Sequence, residues 1–186
     1  MVLPIYAYGH PVLKKMGKDI DKDYPELDKL IENMWETMAN ARGVGLAAPQ
    51  IGLAIRLFII DSTLILEDDD ETDEKGLKQV FINAKIIEEG GAPWDYEEGC
   101  LSIPDIRAEV RRPAQVKLEF YDAKFKKHTK VFTGTTARVI QHEYDHIDGI
   151  LFTELIKPLK KRLYRKKLEK IKKGNIKVSY RMKFVR

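Results

Sequence analysis

Apolar residues recur along this chain at two periods, and their alternation predicts helices set among antiparallel strands. Leu27, Leu30, Ile31, Met34 and Met38 fall at helical spacing and run out at Arg42-Gly43, predicting a core helix with Pro25 in its first turn. Met34, Trp35 and Met38 read as packing residues on that helix. Arg56 to Asp61 is a continuous apolar run of the length of a buried strand. Further strands are predicted over Gln79 to Asn83 and Lys85 to Glu89, with Gly90-Gly91 as a turn. From Ala114 to Tyr121 apolar and polar side chains alternate, the mark of a half-buried antiparallel strand. His128 to Phe132 is its hairpin partner across Asp122 to Lys127. Ala137, Val139, Ile140, Tyr144 and Ile147 predict a second, mostly buried helix, with Gly149 able to turn left-handed just past its end. Beyond Thr153, Leu159, Leu163, Leu168 and Ile171 predict one apolar stripe on a third helix, broken at Gly174-Asn175, and Ile176 to Phe184 alternates as a final strand.

A length of 186 residues suits one domain, spanning 1–186, with 157–186 as its basic helix-and-strand extension. The chain is 44% hydrophobic and 33% charged and contains no apolar run of bilayer length, which excludes a membrane span. Its first residues lack the basic flank and apolar core of a secretory signal, so a cytoplasmic location is expected. One cysteine excludes an internal disulfide and is consistent with a reducing compartment. The acidic stretch at 67–75 cannot bury itself and lacks the spaced glycine and terminal glutamate of a calcium loop, so it is expected to be exposed. The third helix carries a dense set of lysines and arginines, which suits a solvated face or the phosphates of RNA; nothing points to specific DNA binding.

The chemistry concentrates in Gln141-His142-Glu143-Tyr144-Asp145-His146. Histidines four apart on a helix share a face, so both imidazoles can reach one metal ion, and the glutamate after the first is placed to take a proton from water. The third ligand decides the kind of site. A glycine-and-histidine continuation is excluded by Phe152; Glu154 and Glu169 remain open, and Cys100, in Glu98-Gly99-Cys100-Leu101-Ser102, is the better candidate. Gly43 to Gly52 is a run of small residues holding Gln50; without a following Lys-Ser or Lys-Thr it is not a phosphate loop. It predicts either a tight turn into a strand or a place where a ligand backbone approaches closely while Gln50 donates a hydrogen bond.

Together, Gly43 to Gln50, Glu98 to Ser102 and Gln141 to His146 resemble the three signature motifs of the peptide deformylases, in their order and approximate separation. The resemblance runs from Gly9-His10-Pro11-Val12-Leu13 to about Lys173. It implies that Cys100, His142 and His146 bind a divalent metal, Glu143 is the general acid and base, and Gln50 with the backbone N–H of Leu101 stabilises the oxyanion. The implied reaction removes the N-formyl group from the formylmethionine of nascent polypeptides and releases formate. The implied metal is iron(II) natively, with zinc, nickel or cobalt also suited to the ligands. Val44, Gly45 and Gly99 are expected to pair with a peptide bound as an added strand, Arg107 to lie near the substrate and Val139 to line the methionine pocket. Tyr96 departs from the aliphatic residue usual at its position, which puts the shape of that pocket in question. A basic C-terminal helix docks some bacterial members on the ribosome, and the helix here looks suited to that.

The expected fold is α+β, with antiparallel strands packed around the central metal-binding helix and the basic helix outside. Two rivals remain: a cysteine hydrolase using Cys100 as nucleophile, which leaves Glu143 without a task, and a non-catalytic RNA- or ribosome-binding protein.

Overall fold

The computed structural model describes residues 1–66 and 76–185, so the acidic stretch at 67–75 lies outside the described residues. The elements in order are β1 (Ile5–Tyr6), α1 (Leu27–Asn40), β2 (Gly45–Ala47), β3 (Leu57–Asp61), β4 (Lys78–Gly90), β5 (Trp94–Cys100), β6 (Ile103–Arg112), β7 (Gln115–Tyr121), β8 (Lys127–Thr133), α2 (Gly134–Ile147), α3 (Phe152–Leu155), α4 (Pro158–Lys172) and β9 (Met182–Lys183). An antiparallel sheet runs β2-β3-β4-β7-β8; β5 and β6 form a separate antiparallel ribbon, and β1 and β9 a short parallel pair. This is the expected α+β architecture.

The apolar run of β3 is continuous because both faces of the sheet are covered. On one face Leu57, Ile59, Val80 and Ile82 pack with Met34 and Met38 of α1. On the other, Phe58, Ile60, Phe81, Val116, Leu118 and Phe120 pack with Ala137, Val139, Ile140 and Ile147 of α2. The helix expected to carry the site is therefore held by the sheet through one face and free to present chemistry on another. Its end is fixed too: Gly149 has φ 73, the Gly149 N–H donates to His146 O and the Ile150 N–H to Asp145 O, a left-handed cap satisfying two terminal carbonyls. Among the described residues, no helix is long and apolar enough to cross a membrane.

Four expectations need correction. Pro25 precedes the cap Glu26 rather than entering the first turn, since α1 begins at Leu27. The strands expected at 79–83 and 85–89 are one strand, β4, bulged where Asn83 takes φ 52 and its amide clamps both backbone groups of Ile20. An asparagine tolerates that conformation, so a local break in pattern is absorbed without ending the strand. The single apolar stripe on α4 is also wrong: Leu168 and Ile171 are buried against the β5–β6 ribbon, whereas Leu159 and Leu163 are each 76% exposed. At about 100° per residue, Leu168 lies roughly opposite Leu159. Finally, only Met182–Lys183 of the expected last strand is paired, because its partner β1 is two residues long.

Candidate active site

The ribbon strand β5 and helix α2 meet at their functional residues. Cys100 closes β5, and its Sγ lies 3.2 Å from His146 Nε2. The imidazoles of His142 and His146, one turn apart on α2, have centroids 5.2 Å apart, and the three ligand atoms all lie within 4.8 Å of one another. In a tetrahedral site with metal bonds of about 2.0–2.3 Å, sulfur and nitrogen sit roughly 3.5 Å apart, so the Cys100 to His146 contact is on the scale one ion sets. Two imidazoles and a thiolate form a donor set suited to a borderline divalent ion.

Glu98 orients this set from behind. Its Oε2 accepts from His142 Nδ1 at 2.9 Å, which turns Nε2 of that ring toward the thiolate. The same carboxylate accepts from Arg112 Nε at 2.7 Å and from Arg138 Nη1 at 3.2 Å, while Arg112 Nη1 donates to Asp145 at 2.7 Å. Burial alone would raise the Glu98 carboxyl, but hydrogen bonds from His142 and Arg112 outweigh it and hold the group well below the usual carboxylate range. His146 is held well below its ordinary value, first by burial and then by the charges of His142 and Arg112, which favours the neutral imidazole that a metal requires.

Glu143 is buried, and among the described residues its Oε2 has no hydrogen-bond partner. Burial, the largest cause, pushes its carboxyl up to about 7, the range in which a group can both take and return a proton near neutrality. It fits only because residue 45 is glycine: a Cβ there would stand 2.7 Å from Glu143 Cδ and Cγ. Gln50 is 1% exposed and its orientation is fixed, with Oε1 accepting from the Ala47 N–H at 2.8 Å and Nε2 facing Cys100 Sγ at 3.5 Å and Ser102 Oγ at 3.3 Å. A cavity of about 680 Å³ opens over these groups, lined by Val44, Gly45, Gln50, Tyr96, Gly99, Cys100, Leu101, Arg107, Val139, His142 and Glu143.

A family model described as polypeptide deformylase matches residues 2–162. The chain belongs to the polypeptide deformylase family. It is 56% identical to a peptide deformylase of Christiangramia forsetii over 99% of this chain and 96% of that one. It is 55% identical to the one of Flavobacterium johnsoniae, with the same shares covered. Its fold superposes on a peptide deformylase structure from Legionella pneumophila with TM-score 0.80 at 35% identity, covering 94% of this chain and 98% of that one. Members are metal-dependent hydrolases of the N-formyl group of nascent polypeptides, and the family carries the activity expected above.

Against the sequence-derived deformylase site, the structure brings Cys100, His142 and His146 together and sets Glu143, Gln50 and Leu101 around the same cavity. Val44, Gly45, Gly99, Arg107 and Val139 all line it. Glu154, held open as a ligand, instead bonds Lys14 and the Leu151 N–H, and neither it nor Glu169 joins the cluster. Tyr96 does line the cavity, with the Arg138 guanidinium 5.8 Å from its ring and 4.7 Å from that of Trp94. The supporting residues Glu98, Arg112, Arg138, Asp145 and Ser102 were not assigned roles from sequence. Glu98 stands inside the Glu-Gly-Cys-Leu-Ser motif, which was signal enough to single it out.

Proposed function

We propose that in this member of the family Cys100, His142 and His146 hold the metal and Glu143 moves the protons of formyl-amide hydrolysis. Support comes above all from the convergence of three ligand atoms within 4.8 Å beside a buried carboxylate whose Oε2 has no hydrogen-bond partner among the described residues. Bound there, a divalent ion supplies Lewis acidity and makes water nucleophilic near neutral pH. Glu143 accepts a proton as water oxygen bonds to the formyl carbon, and it returns that proton to the amide nitrogen as the carbon–nitrogen bond breaks. Formate and a free amino terminus result. The carbonyl oxygen gains charge on the way, and Gln50 Nε2 with the Leu101 N–H donates to it. Glu98 keeps the His142 ring turned to its task.

The peptide lies as an added strand in this reading. β2 is an edge strand of the large sheet and β5 has a partner on one side only, so each offers an open edge beside the cavity that Val44, Gly45 and Gly99 line. Val139 and Tyr96 bound the pocket for methionine, and Arg107 stands at the substrate side. The native metal is iron(II), the location is cytoplasmic, and residues 1–186 act as one catalytic domain with 157–186 as its extension. Formate release from an N-formylmethionyl tripeptide, measured anaerobically with and without chelator, tests this. Rapid, chelator-sensitive release is expected; release indifferent to chelator would favour Cys100 as a nucleophile and overturn the assignment.

The basic helix α4 docks the protein on the ribosome in the same reading. Its charged surface and the exposed Leu159 and Leu163 support a surface partner, while Leu168 and Ile171 hold the helix to the ribbon. Neutralising Lys166, Lys167 and Lys170 together is expected to weaken ribosome co-sedimentation and make its loss with salt shallower, with tripeptide turnover unchanged. Undiminished co-sedimentation would remove the ribosome from the account.

A further inference from the structure

Between β5 and β6 the chain reverses through Leu101 and Ser102, with Cys100 and Ile103 opposite each other in the ladder. Both shoulders of this turn carry functional contacts: Cys100 Sγ belongs to the ligand set and Ser102 Oγ accepts from Gln50. The peptide joining Leu101 to Ser102 lies between them, outside the ladder. A central turn peptide is the softest part of such a reversal, because it can flip through paired changes of ψ and the following φ while the flanking Cα atoms stay nearly still. A flip here would turn the Leu101 carbonyl and the Ser102 N–H over, and any accompanying shift of the Leu101 Cα would carry the N–H of the preceding peptide away from its place beside the thiolate.

One side chain opposes that flip. The Tyr180 hydroxyl donates to the Leu101 carbonyl at 2.7 Å, across 79 residues of sequence. Tyr180 also borders the cavity, and its ring packs half-buried against the core formed with α1. Its own backbone is anchored next door, where the Ile5 N–H donates to Arg181 O at 2.9 Å and β9 pairs with β1. On the other side of the turn, the Tyr8 N–H donates to Ser102 O at 2.8 Å.

We propose that Tyr180 is a positioning residue of the hydrolase, its hydroxyl holding the Leu101 carbonyl so that the Leu101 Cα, and with it the N–H of the preceding peptide beside the Cys100 thiolate, cannot drift. This rests on the formyl-hydrolase reading above. The segment beyond α4 is then part of the active site's construction as well as of the protein's surface.

Tyr180→Phe removes the hydroxyl and keeps the ring. With metal content matched to wild type, kcat for an N-formylmethionyl tripeptide is expected to fall about tenfold, while KM stays within about twofold. An unchanged kcat overturns the proposal, and so does a rise in KM alone, which would make Tyr180 a substrate contact. A second measurement uses the wild-type zinc-loaded protein, without any variant: by NMR the Tyr180 hydroxyl proton should exchange slowly and the Leu101 carbonyl carbon should carry the downfield shift of a hydrogen-bonded group. A freely exchanging hydroxyl overturns the lock even where the variant does not fold. Failure of the wild-type protein to release formate would overturn the hydrolase reading and this proposal with it, whereas active wild type with an equally active variant overturns this proposal alone.

Discussion

Glu143→Gln is expected to reduce formate release by about a thousandfold while leaving metal content and fold intact. Glutamine matches glutamate in shape, so the space above Gly45 remains filled, and no ligand atom is lost because the carboxylate lies beside the ligand set rather than within it. What disappears is the buried carboxyl proposed to take a proton from attacking water and give it to the departing amine. The substitution also removes a buried carboxyl that burial has pushed up to about 7, so the metal-free variant should melt no lower than wild type. Loss of activity together with loss of metal would mean that Glu143 is a ligand; activity within tenfold of wild type would mean that another group carries the proton. Steady-state kinetics with elemental analysis on one preparation distinguishes these outcomes.

Glu98→Gln should have the largest effect on stability. A single carboxylate, with its side chain 3% exposed, faces Arg112, Arg138 and the His142 ring. Removing its charge leaves two buried guanidinium groups short of their counter-ion, and Arg112 retains only Asp145. A broken buried pair costs about 3–5 kcal/mol, so Tm should fall by roughly 6–20 °C for a chain of this size. Metal affinity should drop by about 10–100-fold, since the amide holds the His142 tautomer less firmly. Calorimetry and a competitive chelator titration measure the two effects separately. A variant with wild-type Tm would show that the network is dispensable to the fold, and one with wild-type affinity that Glu98 does not set the His142 ring.

The residues that converge around the cavity were legible in the sequence because their chemistry is written into short windows: two histidines one helical turn apart, a lone cysteine in a compact motif, and a glutamine closing a run of small residues. The same holds for the large sheet, where a continuous apolar run marks β3, alternation marks β7, and β8 follows as its hairpin partner. The ribbon β5–β6 was not legible as strands. Its inward row ends in Arg112, a charged residue in an apolar position, and only the distant Glu98 and Asp145 make sense of that burial. Asn83 misled for the opposite reason, since its left-handed backbone is stabilised by Ile20, far away in sequence. On α4 the pattern was present and was counted without regard to angle, so that residues on opposite sides of the helix were grouped as one stripe. In each case the missing information is a contact across the fold or a direction around an axis.

The pairing of β1 with β9 bears on the order in which the protein becomes active. Lys183 reaches the Tyr6 hydroxyl at 3.0 Å across 177 residues of sequence, and Tyr180 reaches Leu101 from the same segment. Contacts between segments so far apart in sequence close long loops and gain nothing until the intervening structure exists. During synthesis, α2 and the ribbon can assemble the ligand cluster while residues near 180 are still within the ribosome. The Leu101 turn gains its strap only after that segment has been released, so competence for catalysis should lag behind acquisition of the metal-binding fold.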